Sequence, residues 1–458
     1  MKRRKNRTIG ICAGLVLCIT AGILWYWLTA HTKQPADTAE AERKALEETA
    51  VENTPQEESI ADNPAERESP KDAEEIPASG PSEAAPDIPP KEPEPTPEEL
   101  LTEQVEAVLA DMTREEKVLQ LFMITPEALT GHGTVTEAKE KTQEAILSYP
   151  VGGLVYFAKN LKEPEQVRTM LGNTLRYYEE AGSPVPFLGV DEEGGKVARI
   201  GGQPAFDVER IPDMRTIGDQ TDAREAERIG RVIGSYLSEL GFNVDFAPCA
   251  DVLTEPENQV IGRRSFGTDP KLVAELALAE VKGLEESGVF AVLKHYPGHG
   301  ATKSDSHDGY AYTDKGLEEL MEAELVPFER GVQEGVHFIM AAHISVPSVT
   351  GDPVPCTLSP YMITDVLRGR YGYDGIVVTD AMNMGAIRQQ YGSAEAAVLA
   401  LQAGVDLILM PSDFVSAYEG VLAALDAGEL SEERINESVR RILRVKLTSL
   451  PGSAAEEG

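Results

Sequence analysis

From about Glu98 to Leu450, short apolar runs rich in valine, isoleucine and phenylalanine alternate with longer segments whose apolar residues recur at helical spacing. The runs predict strands over Gly153–Phe157, Val185–Val190, Asn243–Ala247, Phe290–Leu293, His337–Ala341, Gly375–Val378 and Asp406–Met410. Between them, Asp222–Leu240 and Pro270–Ser287 read as helices, closed by Gly241 and Gly288. Strands that alternate with helices pair in parallel through crossover connections. Seven such strands, with an eighth weak or irregular, predict an α/β fold of the closed (β/α)8 TIM-barrel type; an open doubly wound sheet is the alternative. The polar residues favour the barrel, because four runs end in chemistry: Asp191-Glu192-Glu193, Lys294-His295, His343 and Asp380 each follow an apolar stretch. In a barrel, strand ends converge on one catalytic face.

The pattern changes twice before Glu98. Residues 2–7 carry Lys2, Arg3, Arg4, Lys5 and Arg7, and an uncharged run from Ile9 to Ala30 follows, closing on Trp25-Tyr26-Trp27. A spanning helix needs roughly 20 apolar residues, whereas a cleaved signal has a core of about 7 to 15. The run therefore predicts an uncleaved single-pass membrane anchor over residues 1–30, with signal cleavage after Leu28-Thr29-Ala30 as the alternative. Basic residues ahead of it hold the N-terminus in the cytoplasm and send the rest outside. Cys18 follows Leu15-Val16-Leu17, which lack the small residue a lipoprotein signal wants.

Residues 31–97 predict a disordered linker. The stretch His31–Leu100 holds 20 acidic residues, 6 basic ones and 12 prolines, with almost no aromatic or branched apolar side chains, too little to offset the entropy of ordering. The formal net charge of −35 resides partly there, and no basic footprint follows residue 30, so nucleic acid is not an expected partner. Residues 98–450 form the barrel and 451–458 a polar tail. Cys249 and Cys356 sit in apolar neighbourhoods and read as core residues rather than a disulfide; no Cys-x-x-Cys pair exists.

The strongest local signal is Lys294-His295-Tyr296-Pro297-Gly298-His299-Gly300, followed by Ser304-Asp305-Ser306-His307. A strand that ends in a cation and an imidazole and then enters a Pro-Gly loop presents side chains rather than continuing regular structure. A salt-bridged strand end is the bland reading of Lys294 and His295. Asp305 stands two residues from His307, close enough to orient that imidazole and to favour its charged form, although Asp-x-His alone is also ordinary loop polarity. Asp380, at the end of Gly375–Thr379, either caps the next helix or takes part in catalysis. Asp191, before Gly194-Gly195, suits sugar hydroxyls, and Arg199, Arg263 and Arg264 supply donors or are structural pairs.

These motifs, with Ile261-Gly262-Arg263-Arg264-Ser265-Phe266-Gly267 and Thr379-Asp380-Ala381-Met382, resemble in type and order the β-N-acetylhexosaminidases of glycoside hydrolase family 3, from about residue 105 to 445. The resemblance implies retaining hydrolysis of terminal N-acetylglucosamine from cell-wall-type or chitin-like glycans, without cofactor or metal. Asp380 would be the nucleophile, His307 the acid/base with Asp305 as its partner, and Asp191, Arg199, Arg264, Lys294 and His295 the sugar-binding groups. A histidine acid/base departs from the two carboxylates of most retaining glycosidases. Tyr296 stands where phenylalanine is usual, and Arg263 precedes the matching arginine. The expected partners are the glycan and, through residues 9–30, a membrane; the barrel is expected to act as a monomer.

Three other readings remain. Phosphate could replace water in releasing the glycosyl intermediate, or the sugar specificity could differ. A non-catalytic wall-binding protein is a second, though it would be expected to lack Asp380 or His307. A metal hydrolase using His295, His299 and His307 is the third, weakened by the absence of a helix and of an adjacent glutamate.

Overall fold

A computed structural model of the chain describes residues 95–448 apart from 304, 307 and 308. The expected anchor and polar tail lie outside the described residues, as do His307 and the linker up to residue 94; at the linker's end Thr96 caps a helix, Pro97–Asp111. Among the described residues, no helix is long and apolar enough to cross a membrane.

Eight parallel strands form the centre: β1 (Phe122–Ile124), β2 (Gly153–Val155), β3 (Phe187–Val190), β4 (Val244–Asp245), β5 (Phe290–Tyr296), β6 (Phe338–Ala341), β7 (Ile376–Thr379) and β8 (Ile408–Leu409). Each pairs with its neighbour in chain order, and β1 also pairs with β8. The ring closes between β7 and β8 through one bridge, Val378 to Leu407, where the Thr379 amide donates to the Leu407 carbonyl at 2.9 Å. This is a nearly closed α/β barrel, not an open sheet. The interior is filled: Phe187 of β3 and Phe338 of β6 meet edge to face, centroids 5.2 Å apart. Gly189 admits Met123 and Phe246, since a Cβ there would fall 2.5 Å from the Met123 Cε.

The seven expected strands are all present, some shorter than the apolar runs. The eighth is β1, whose three residues continue the apolar run of the preceding helix, Arg114–Gln120, almost without a break. That helix starts at a capping box, Thr113 with Glu116.

Helices wrap the barrel. The helix α1 (Ala223–Leu240) is capped by Asp222 and ends at Gly241, φ 99°. Its buried stripe includes Ile229, Ile233, Leu237 and Leu240. It packs backbone to backbone on α2 (Pro270–Glu285), because a Cβ on Gly230 would lie 2.2 Å from the Glu280 carbonyl oxygen and one on Gly283 2.1 Å from that of Glu227. A last helix, α3 (Glu432–Leu447), returns to the β7–β8 seam. There the buried Asp406 accepts from the Val377 amide (2.9 Å) and Ser438 (2.7 Å) and pairs with Arg368 and Arg441. Cys249 and Cys356 are free and buried.

Candidate active site

At the C-terminal ends of the strands lies a cavity of about 210 Å³, lined among others by Asp191, Glu193, Arg199, Arg264, Lys294, His295, His299 and Asp380. Larger pockets exist: one of about 840 Å³ lies between α2 and the helix Val326–Gln333, on the outside of the barrel and away from this chemistry. Size alone does not mark a site; convergent polar groups do.

The segment after β3 builds one wall. Gly194 (φ 83°) and Gly195 (φ 53°) take left-handed conformations that reverse the chain, and a Cβ on Gly195 would strike Asp213. The hairpin sorts three adjacent acids into different roles. Glu192 turns inward and accepts from the Ile200 and Gly201 amides and the Tyr236 hydroxyl, a structural tie. Glu193, also buried, grips Arg264 through two bonds of 2.7 Å and Lys294 through one of 2.6 Å. Burial pushes its carboxyl up, but Arg264 and Lys294 outweigh this and hold it well below the usual carboxylate range. Asp191 is half-buried, with Lys294 Nζ at 3.2 Å and Arg199 at 3.3 Å.

The end of β5 builds the adjoining wall. Its Lys294 stays charged despite burial because Glu193 and Asp191 flank it. His295 presents Nδ1 to Asp251 at 2.6 Å, while its Nε2 lies 3.3 Å from an Arg264 nitrogen that can only donate. Asp251 also accepts from the His299 amide (2.6 Å) and the Cys249 thiol (3.1 Å), so one buried carboxylate orders both histidine segments. Burial and the neighbouring His295 push the His299 imidazole below its ordinary range. Cys249, Asp251 and His295 bring three potential metal-ligand atoms within 4.8 Å of one another. All three are engaged with one another or with Arg264, and His299 is bonded to Ser306 (3.2 Å) and Thr302 (3.0 Å).

Asp380 follows β7 and lines the same cavity; its amide donates to the Ala341 carbonyl (2.8 Å) and its Oδ1 accepts from the Ala381 amide (2.7 Å). The structure thus gathers Asp191, Arg199, Arg264, Lys294, His295 and Asp380 around one space. Asp305 is half-buried on the loop after β5, and Ser306, preceding His307, is buried and lines the cavity. His343 does not line it. Its ring lies 2.8 Å from the Thr357 hydroxyl and 3.1 Å from the Ala381 carbonyl, bracing the turn after Asp380. Glu193 and Asp251 are the members of the site that sequence reasoning left without a role, and His299 entered it only as a metal ligand in an alternative reading.

Eight parallel strands thus bring carboxylates and cations together on one pocket smaller than the roughly 300–1,000 Å³ of drug-sized sites, the arrangement of a barrel enzyme with its site at the C-terminal strand ends. The family model of the glycosyl hydrolase family 3 N-terminal domain matches residues 113–445, and the chain belongs to that family. It is 33% identical over 342 residues to Beta-hexosaminidase A of Pseudoalteromonas piscicida, covering 70% of this chain but 57% of that one. With the Beta-hexosaminidase of Nitrosomonas eutropha it shares 34% over 339 residues, 71% of this chain and 93% of that one. The solved glycoside hydrolase family 3 β-N-acetylglucosaminidase from Paenibacillus sp. str. FPU-7 superposes with a TM-score of 0.68 at 38% identity, over 74% of this chain and 64% of that one.

Proposed function

We propose that this chain is a retaining β-N-acetylhexosaminidase that removes terminal, non-reducing N-acetylglucosamine from cell-wall-type or chitin-like glycans. The observation that carries the reading is the shared cavity of Asp380 with two acids, two arginines, a lysine and two histidines. In this reading Asp191, Arg199, Arg264, Lys294 and His295 hold the sugar's hydroxyls. The Asp380 carboxylate attacks the anomeric carbon and forms a glycosyl ester as the bond to the leaving oxygen breaks. His307, with Asp305 beside it in sequence, gives that oxygen its proton, then takes one from the water that opens the ester. The hexosaminidase relatives and the Paenibacillus glucosaminidase support this choice of sugar.

The test is release of 4-nitrophenol from its β-N-acetylglucosaminide, set beside the β-glucoside and β-xyloside, with and without phosphate. Preference for the first, unaffected by phosphate and abolished by Asp380→Ala, is expected. Preference for another sugar, dependence on phosphate, or undiminished turnover by the variant would overturn it. We further propose that residues 9–30 anchor the enzyme in the membrane with a monomeric barrel outside the cytoplasm, on the strength of the basic residues before that run. Protease added to intact cells should then remove the barrel; full protection would refute this orientation.

A further inference from the structure

Immediately after the loop that carries Asp305 and His307, the chain forms a short strand, Ala311–Tyr312, paired in parallel with Ile344–Ser345 beyond β6. Ala311 is fully buried and packs with Ala342 and Ile344, so its neighbours Tyr310 and Tyr312 project the other way. Their rings stack, centroids 5.2 Å apart and planes 22° apart, and remain 40% and 42% exposed. The ladder is fixed at its end, where the Thr313 amide donates to the Ser345 carbonyl at 3.2 Å. Exposed aromatic rings held rigidly are unusual on a surface with no partner, since they offer a large face at little entropic cost to whatever binds them.

Tyr312 also lines a polar cleft of about 410 Å³ with Glu255, Ala301, Lys303, Asp314 and Lys315. The turn His299–Ala301 divides this cleft from the catalytic cavity, because His299 lines the cavity and Ala301, two residues on, lines the cleft. The side chain of Asn258 holds that turn by donating to the His299 and Thr302 carbonyls. A flat apolar face beside carboxylates and ammonium groups fits a sugar ring, which has an apolar face of C–H groups and an equatorial rim of hydroxyls.

We infer that Tyr312, backed by Tyr310, is a platform for the leaving-side sugars beyond the first in an uncharged amino-sugar chain whose terminal ring occupies the catalytic cavity. The inference rests on the reading given under Proposed function. It predicts that longer chains bind more tightly than short ones and that Tyr312 is the reason.

The experiment is calorimetric titration of the full-length Asp380→Asn variant, which leaves substrate uncleaved, with β-1,4-linked N-acetylglucosamine dimer and tetramer. Adding Tyr312→Ala should weaken the tetramer by about five- to tenfold and leave the dimer within about twofold. Tyr312→Phe, which keeps the face, should retain tetramer affinity. Equal weakening of dimer and tetramer, an unchanged tetramer, no tetramer binding at all, or loss of tetramer affinity in Tyr312→Phe would each overturn the platform. Tyr312-dependent tetramer binding by a protein whose wild type cleaves no N-acetylglucosaminide would instead refute the hydrolase reading and leave the platform standing.

Discussion

Glu280 offers a test of the buried charge arrangement behind the site. It lies on α2, 1% exposed, and neither side-chain oxygen has a hydrogen-bond partner among the described residues. Burial is the chief reason its carboxyl is pushed up to about 8 from 4.5; repulsion from Glu193 adds to this and Lys294 opposes it. The folded protein therefore holds a proton that the unfolded chain releases. The stability which that proton represents is complete below about pH 4.5 and is lost progressively as pH rises to about 8. One pKa unit corresponds to about 1.4 kcal/mol, so from 4.5 to pH 7 the loss reaches about 3 kcal/mol. Glu280→Gln removes the titration while keeping the shape. Its amide brings a burial cost of about 1–3 kcal/mol, but that cost does not vary with pH. Urea unfolding of both proteins at pH 5, 6, 7 and 8 reads the difference directly. The variant should gain on the wild type by about 1.4 kcal/mol per pH unit and level off above pH 8. A difference that stays constant across this range would refute the reasoning.

Other consequences are as direct. Glu193→Gln leaves Lys294 and Arg264 without their shared counter-charge, so turnover of an aryl N-acetylglucosaminide should fall by about 100-fold or more; a fall of less than threefold would show that the pairing does not position the cations. Asp406→Ala strands Arg368 and Arg441 at the barrel seam and should cost about 3–5 kcal/mol, read as a lowered urea midpoint; an unchanged midpoint would refute the seam's importance. His307→Ala should slow glycosides with poor leaving groups far more than activated aryl ones, because only the former need a proton donor. Equal losses on both would give that residue another task.

Strands β2 to β8 were legible because parallel barrel strands, covered by helices outside and packed side chains inside, leave runs of valine, isoleucine and phenylalanine. The strand β1 was not, since between Val118 and Ile124 the only polar residue is the buried Gln120, and the apolar run passes from helix to strand without a turn signal. Strand-end position identified Asp191, Lys294, His295 and Asp380 as candidates, and all line the cavity. The same signal misled at His343, because a polar residue bracing a turn and one facing a ligand both follow an apolar run. Glu193 was hidden by its neighbours: in Asp191-Glu192-Glu193 only the backbone reversal at Gly194 and Gly195 decides which acid meets Arg264. Asp251 lies 44 residues from His295 in sequence, and Glu280 reads as one more acid on a helix; nothing local marks either as buried.

In the proposed mechanism Asp380 becomes covalently bonded to the sugar. Incubation with 5-fluoro-N-acetylglucosaminyl fluoride, which forms the glycosyl ester quickly and loses it slowly, followed by peptic digestion and mass spectrometry, tests this most directly. A single modified peptide is expected, with the sugar on Asp380 and none in the Asp380→Ala variant. A protein inactivated with the sugar on another residue, or turning over substrate with no trapped ester, would contradict it.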